Sequence, residues 1–244
     1  MKNPNGYILW EGLSRLDHKT PVVVIATGFK NATSNPKTGN MIQTWIICSD
    51  IHPTEAINGG EDRGICGECP HRKIDGKRTC YVNQMSIAAV YRTYKAGKYP
   101  KVSLYDLFKG RKVRIGAYGE PTAVPFGLWK NILHYSSSHT GYTHQWKTCD
   151  INFRDICMAS VDNEEERVLA QSDGWRTFRV VVPDEELTDR EIRCPNEVNS
   201  DIQCNRCNLC MGRSNTNVRS IAITVHGVGA KYFRESVDST VGTG

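Results

Sequence analysis

The chain has 244 residues, 39% of them apolar, and a formal net charge of +5, enough for one large or two small domains of an ordinary globular kind. No apolar run is long enough to span a bilayer, and "MKNPNGYILWEG" lacks the charged start, apolar core and small-residue cleavage site of a secretory leader, so the expected compartment is the cytoplasm. Ten cysteines in a reducing compartment point to metal; in a secreted chain they could form five bridges instead.

In chain order, "TPVVVIATG" (20–28) reads as a strand ending in a turn, and "MIQTWIICSD" (41–50) as a second strand ending on Asp50. A Gly-rich and Cys-rich loop, 59–80, follows. "YVNQMSIAAVYRTYKAGKYP" reads as a helix, with Ile87, Val90, Tyr91 and Tyr94 at helical spacing and Gly97 and Pro100 as the stop. Then come a strand "KVRIGAYGEP", a helix through "PFGLWKNILHY", a short strand "TGYTHQW" and a strand "ICMASVD". "NEEERVLAQSDG" is a helix with acids in its first turn, where the macrodipole favours them. "WRTFRVVVP" and "VRSIAITVHG" are the last strands, and the tail "STVGTG" is expected to fray. From Asp50 onward, strands and helices alternate, which predicts an α/β fold with a mainly parallel sheet. We expect residues 1–244 to form one domain, a small or incomplete TIM-like barrel with Cys-rich metal-binding insertions at 59–80 and 194–212. An open doubly wound sheet is the alternative. Neither a GxGxxG turn nor a Walker A sequence is present.

Charge is unevenly distributed. Twelve Lys and Arg lie between Arg72 and Arg114 against two acids, whereas ten acids lie between Asp162 and Glu191 against four arginines. Such a basic block can neutralise phosphates; alternatively it is a solvated face paired with the acidic segment. Arg72, Lys73, Lys77, Arg78, Lys109, Arg111, Lys112 and Arg114 are its candidate nucleic-acid contacts.

Cys204, Cys207 and Cys210, at even spacing, can share one metal, with Cys194 or His226 as a fourth ligand; a closed zinc site pinning the loop is the plain reading and an iron–sulfur cluster the alternative. Cys66, Cys69 and Cys80 form a second group with His71 in reach. Cys48, Cys149 and Cys157, in or beside apolar strands, read as buried small hydrophobes. His134, His139 and His144 fit no single helix face and read as loop or surface residues. No HExxH motif and no nucleophile elbow occur.

In parallel α/β folds the ligand sits beyond the carboxyl ends of the strands. Asp50, Glu120 and Asp162 each follow an apolar strand and are the candidate catalytic carboxylates, one a nucleophile and another a general acid or base. Asp162 alone is equally well a helix N-cap. Gln145 can read an amide-bearing base edge, "YTHQW" offers aromatic faces for stacking a base, and Tyr118 and His144 are further candidate substrate-binding residues.

The order Asp50, Glu120, Gln145, Asp162, then Cys204, Cys207, Cys210 and His226 resembles the guanine transglycosylases that act on tRNA and DNA. That resemblance implies a TIM barrel, a late zinc site, and exchange of guanine for a 7-deazaguanine base in nucleic acid, with DNA the favoured partner. The family's Asp-Ser-Gly-Gly run is replaced by "CSDIHPT", and its zinc spacing differs. A second resemblance is to radical S-adenosylmethionine enzymes. "GAYGEP" is similar to their Gly-Gly-Glu-Pro strand end, which holds the cofactor's amino group, and Cys66, Cys69 and Cys80 follow an early strand as their cluster loop does. Cys194 to Cys210 would then hold an auxiliary cluster, although the Cys-x3-Cys-x2-Cys loop is absent. "MASVD" and "GWRTFRV" resemble phage proteins, which implies a viral origin and the host cytoplasm. A zinc-stapled nucleic-acid-binding protein without enzymatic activity is the third expectation.

Overall fold

The computed structural model describes residues 4–33, 35–102, 104–214, 219–227 and 229–233; the tail 239–244 lies outside them. Its first sheet is built from β1 (Gly6–Leu13), β2 (Pro21–Thr27) and β3 (Ile42–Cys48) as antiparallel neighbours. The short hairpin β4 (Lys73–Ile74) and β5 (Lys77–Arg78) stands apart as its own small ladder. β6 (Lys112–Tyr118) and β7 (Ser138–Thr140) complete the first sheet parallel to β3, in the order β1-β2-β3-β6-β7. The second sheet holds β8 (Tyr142–Thr143), β9 (Met158–Val161), β10 (Thr177–Val181), β11 (Glu191–Arg193) and β12 (Ser220–Thr224), all parallel, in the order β11-β12-β10-β9-β8. Gly141 alone separates β7 from β8, so the two sheets abut there. A Cβ on Gly141 would meet the Ile156 carbonyl oxygen at 2.8 Å and Cys157 Sγ at 2.9 Å.

The fold is therefore mixed α/β with mainly parallel strands. The N-terminal antiparallel edge departs from the expected barrel of mainly parallel strands, because the connections β1–β2 and β2–β3 contain no crossover helix. Among the described residues no ladder joins β11 back to β1 to close a barrel.

Helices cover the sheets where their apolar faces demand it. α1 (Pro53–Gly59) leads into the Gly-rich loop and α2 (Arg63–Cys66) lies within it. α3 (Gln84–Lys95) buries Ile87, Ala88, Val90 and Tyr91, one face at helical spacing, and Asn83 caps it by accepting from Met85 N at 2.8 Å. α4 (Phe126–Tyr135) buries Leu128, Trp129 and Ile132, and the Trp129 indole donates to the Pro121 carbonyl at 2.8 Å. α5 (Glu164–Ser172) packs on β9 and β10. β9 is buried throughout, as a central parallel strand covered on both faces must be. Among the described residues no helix is long and apolar enough to cross a membrane.

His139 belongs to this core and not to the surface expected of it. It lies on β7, 6% exposed, and its Nε2 donates to the Ile156 carbonyl at 3.0 Å. Burial pulls its pKa down to about 4, against the opposing effect of that carbonyl. An unfolded imidazole takes its proton near pH 6.5, so between these values the unfolded chain binds more protons. The stability present above about pH 6.5 is thus lost as pH falls to about 4, by as much as about 3 kcal/mol. Urea unfolding of the parent and of His139→Gln across this window should show the steeper acid loss in the parent. Equal slopes would mean that His139 is not the group responsible.

Candidate functional site

One cavity of about 530 Å3 gathers most of the chemistry-bearing residues of the chain. Its floor is one face of the parallel strands: Arg114, Gly116 and Tyr118 from β6, Thr140 and Tyr142 from β7 and β8, Phe178 and Val180 from β10, and Ile221 and Ile223 from β12. Positions two apart face the same side of β10 and β12, whereas β6 is irregular at Gly116, where its register against β3 shifts, and also presents Ala117. Cys66, Cys69 and Cys80 enter from the 59–80 loop. Cys194, Cys204, Cys207 and Cys210 enter from the segment between β11 and β12.

The first thiol set is held by backbone bonds. Cys69 N donates to Cys66 O at 3.2 Å and Cys80 N to His71 O at 2.9 Å across the small hairpin. The hairpin turns at Asp75 and Gly76, both with positive φ, the Asp-Gly pair that such a turn favours. The second set is fixed by Cys194 N to Ala222 O at 2.7 Å, Gly141 N to Cys210 O at 3.1 Å and Cys204 N to Lys37 O at 2.8 Å. α6 (Pro195–Val198) and α7 (Cys204–Cys207) are the short turns that carry it. Burial raises the thiols of Cys66, Cys80, Cys204 and Cys207, and that of Cys210 to about 12. His226 is exposed at the rim, its Nδ1 2.9 Å from Thr224 O and its ring against Tyr81. Cys194, buried, is the better-placed fourth member of the late set.

Between the thiols and the strand ends runs a chain of polar groups. Glu120, just past β6, accepts from Thr143 Oγ1 at 2.7 Å and from His144 N at 2.9 Å. The His144 ring lies 3.7 Å from both Glu120 Oε1 and Asp162 Oδ2. Asp162 Oδ1 is 2.9 Å from His71 Nε2, and His71 Nδ1 is 2.7 Å from Thr79 Oγ1. Burial opposes charge on His144, but Cys69, Asp162 and Glu120 outweigh it and hold the imidazole well above its usual range. Burial also opposes charge on Asp162, and the bonds from His144 and His71 outweigh it, holding the carboxyl well below its usual range. Asp162 is not the helix cap. Asn163 takes that place, accepting from Glu166 N at 2.8 Å, while Glu166 accepts from Asp162 N at 3.1 Å, a reciprocal box that leaves the Asp162 carboxylate free for the cavity.

The structure thus brings Glu120, His144, Asp162, Tyr118 and both thiol sets together, and leaves two expected members out. Asp50 is exposed and does not line the cavity. β3 aligns Trp45 with Tyr118 of β6 but keeps pairing with β2 to Cys48, and Ser49 N still donates to Pro21 O. Asp50 is carried past the rim. Gln145 turns away from His144 and lines a separate cleft of about 1180 Å3, against Gly67.

The basic block is largely spent inside the protein. Arg72 bonds Asp62, Arg78 the carbonyls of Cys80 and Val82, Arg111 that of Gly28, Lys112 that of Asn205, and Lys73 the Asn58 side chain. Arg114 is buried in the cavity. Lys77 and Lys109 are exposed. The eight residues therefore do not form one continuous face. Cys48 and Cys157 are buried as expected, and Cys149 is half-buried.

His71 as a partner of Asp162 was not legible at 91 residues' separation; the Asp-Gly hairpin that aims it was the available signal. Among the described residues, His71, His144 and Asp162 are the one group of three metal-competent side chains with all ligand atoms within 4.8 Å of one another, and neither thiol set meets that spacing. Comparison with protein-family models, with curated proteins and with solved structures gives no match to this chain.

Proposed function

We propose that the protein is an iron–sulfur enzyme of the radical S-adenosylmethionine type, built on an incomplete barrel, with one cluster on Cys66, Cys69 and Cys80 and a second on Cys194, Cys204, Cys207 and Cys210. The observation that carries this reading is the meeting of both thiol sets with Glu120 in one cavity. Three thiols in the first set leave an iron free to take an outside ligand, whereas four close the second.

Bound and reduced, a cluster on Cys66, Cys69 and Cys80 would supply the electron for cleavage of the sulfonium cofactor. The chain's own residues bind, orient and exclude water. Glu120 sits at the end of "GAYGEP", where the resembling enzymes hold the cofactor's amino group, and Thr143 and His144 fix its carboxylate. His144 faces Cys69, and Asp162 holds its ring. Base exchange by transglycosylation is the second reading, favoured by the carboxylates of Glu120 and Asp162 on either side of His144. It would have to run without Asp50 and Gln145.

Protein purified without oxygen is expected to be brown, with about eight irons and matching sulfide per chain, and to cleave S-adenosylmethionine once reduced. A colourless protein with zinc alone and no cleavage would overturn this reading and leave base exchange on Asp162 as the next assay.

A further inference from the structure

We propose that Arg114 anchors an oxyanion, a phosphate or carboxylate, of a small substrate lying along β6 between the two thiol sets. The anion is a substrate's only on the reading that this cavity is the reaction site.

Arg114 is 9% exposed. Its Nη2 donates to Tyr81 Oη at 2.7 Å, and its Nε is buried without a hydrogen-bond partner. Among the described residues no carboxylate is paired with it. Other buried arginines have more acceptors: Arg179 has Glu191, Arg167 has Glu164, and Arg176, whose Nε is likewise unpartnered, has the carbonyls of Leu209, Gly212 and Arg219. A buried guanidinium left with one hydroxyl is costly, and its planar fork matches an oxyanion. A second orphan lines the same cavity. Tyr118 Oη is buried with no partner, at most about 13 Å farther along the strand. Gly116 between them contributes no side chain, and Val161, Phe178, Val180 and Ile223 make the surrounding wall apolar. These features fit a small amphiphile: oxyanion at Arg114, apolar or aromatic body over Gly116, polar group at Tyr118.

The rival role for Arg114 is to neutralise the late thiol set, since it feels the charge of Cys204. The test is calorimetric titration of the metal-loaded protein with inorganic phosphate, adenosine 5′-monophosphate and phenylacetate. Saturable binding of the phosphates or of the arylcarboxylate is expected, and which of them binds identifies the source. Arg114→Gln should weaken it about a hundredfold with metal content unchanged. No saturable binding by the parent protein, equal affinity in Arg114→Gln, or loss of metal from that variant would overturn the proposal. So would competitive displacement of the probe by S-adenosylmethionine, which would assign the guanidinium to the cofactor. If the variant does not fold, titration of the parent with and without S-adenosylmethionine still decides. Iron content and cofactor cleavage report separately on the iron–sulfur reading.

Discussion

Cys69→Ser is expected to lose about half of the protein's iron and all cleavage of S-adenosylmethionine, while keeping a cooperative unfolding transition. Cys66→Ser and Cys80→Ser should behave alike, and Cys207→Ser should lose the other half. The reason is the separation of the two sets: one hangs from the hairpin loop and the other from the turns between β11 and β12, with the floor of the cavity between them. Ligand thiols must be deprotonated to bind metal, and burial raises Cys66 and Cys80 in the first set and Cys204, Cys207 and Cys210 in the second. Loading should therefore release protons and weaken steeply in mild acid. Iron and sulfide assays on each variant settle the matter. If any single substitution empties both sets, they form one centre, and the two-cluster assignment is wrong.

Arg179→Met is expected to cost about 3–5 kcal/mol of folding stability. Arg179 on β10 reaches across β12 to Glu191 on β11, with two bonds of 2.9 and 2.8 Å, and also engages Glu185. Ala222 of β12 is in register with Arg179, and its short side chain leaves the crossing open. Arg179 is 3% exposed and Glu191 fully buried, so removing the arginine leaves a carboxylate in a dry interior. The double variant Arg179→Met/Glu191→Leu should recover most of the loss, because breaking a buried pair costs more than replacing it with apolar groups. Chemical denaturation of the three proteins measures this directly. Additive losses in the double variant would show that the charges act independently.

The same contrast between continuous pattern and distant pairing decides what could be read beforehand. β2, β3, β6, β9, β10 and β12 are apolar runs, and α3, α4 and α5 keep helical spacing with recognisable ends, so their positions follow from sequence. β1 does not: "GYILWEGL" has mixed exposure on a sheet edge, and β11 is three residues long. Glu120 and Asp162 were legible because each directly follows a strand of the parallel array. Asp50 misled because β3 belongs to two ladders, and the antiparallel one governs where its chain leaves the sheet. Arg114 misled because charge counted along a chain does not reveal which side of a strand a residue faces; on β6 it points at the cavity. His71 meets Asp162, and Arg114 meets Tyr81, through tertiary placement that no local spacing encodes.

The second sheet also constrains how the chain is made. β12 begins at Ser220 yet lies between β10 and β11, so the ribosome delivers an inner strand last. Until it emerges, β11 has no neighbour, and the segment carrying Cys194 to Cys210 lacks the Ala222 carbonyl to which Cys194 N is tied. A growing chain can finish its N-terminal sheet and place Cys66, Cys69 and Cys80 while the segment carrying Cys194 to Cys210 still lacks the strand that ties it down.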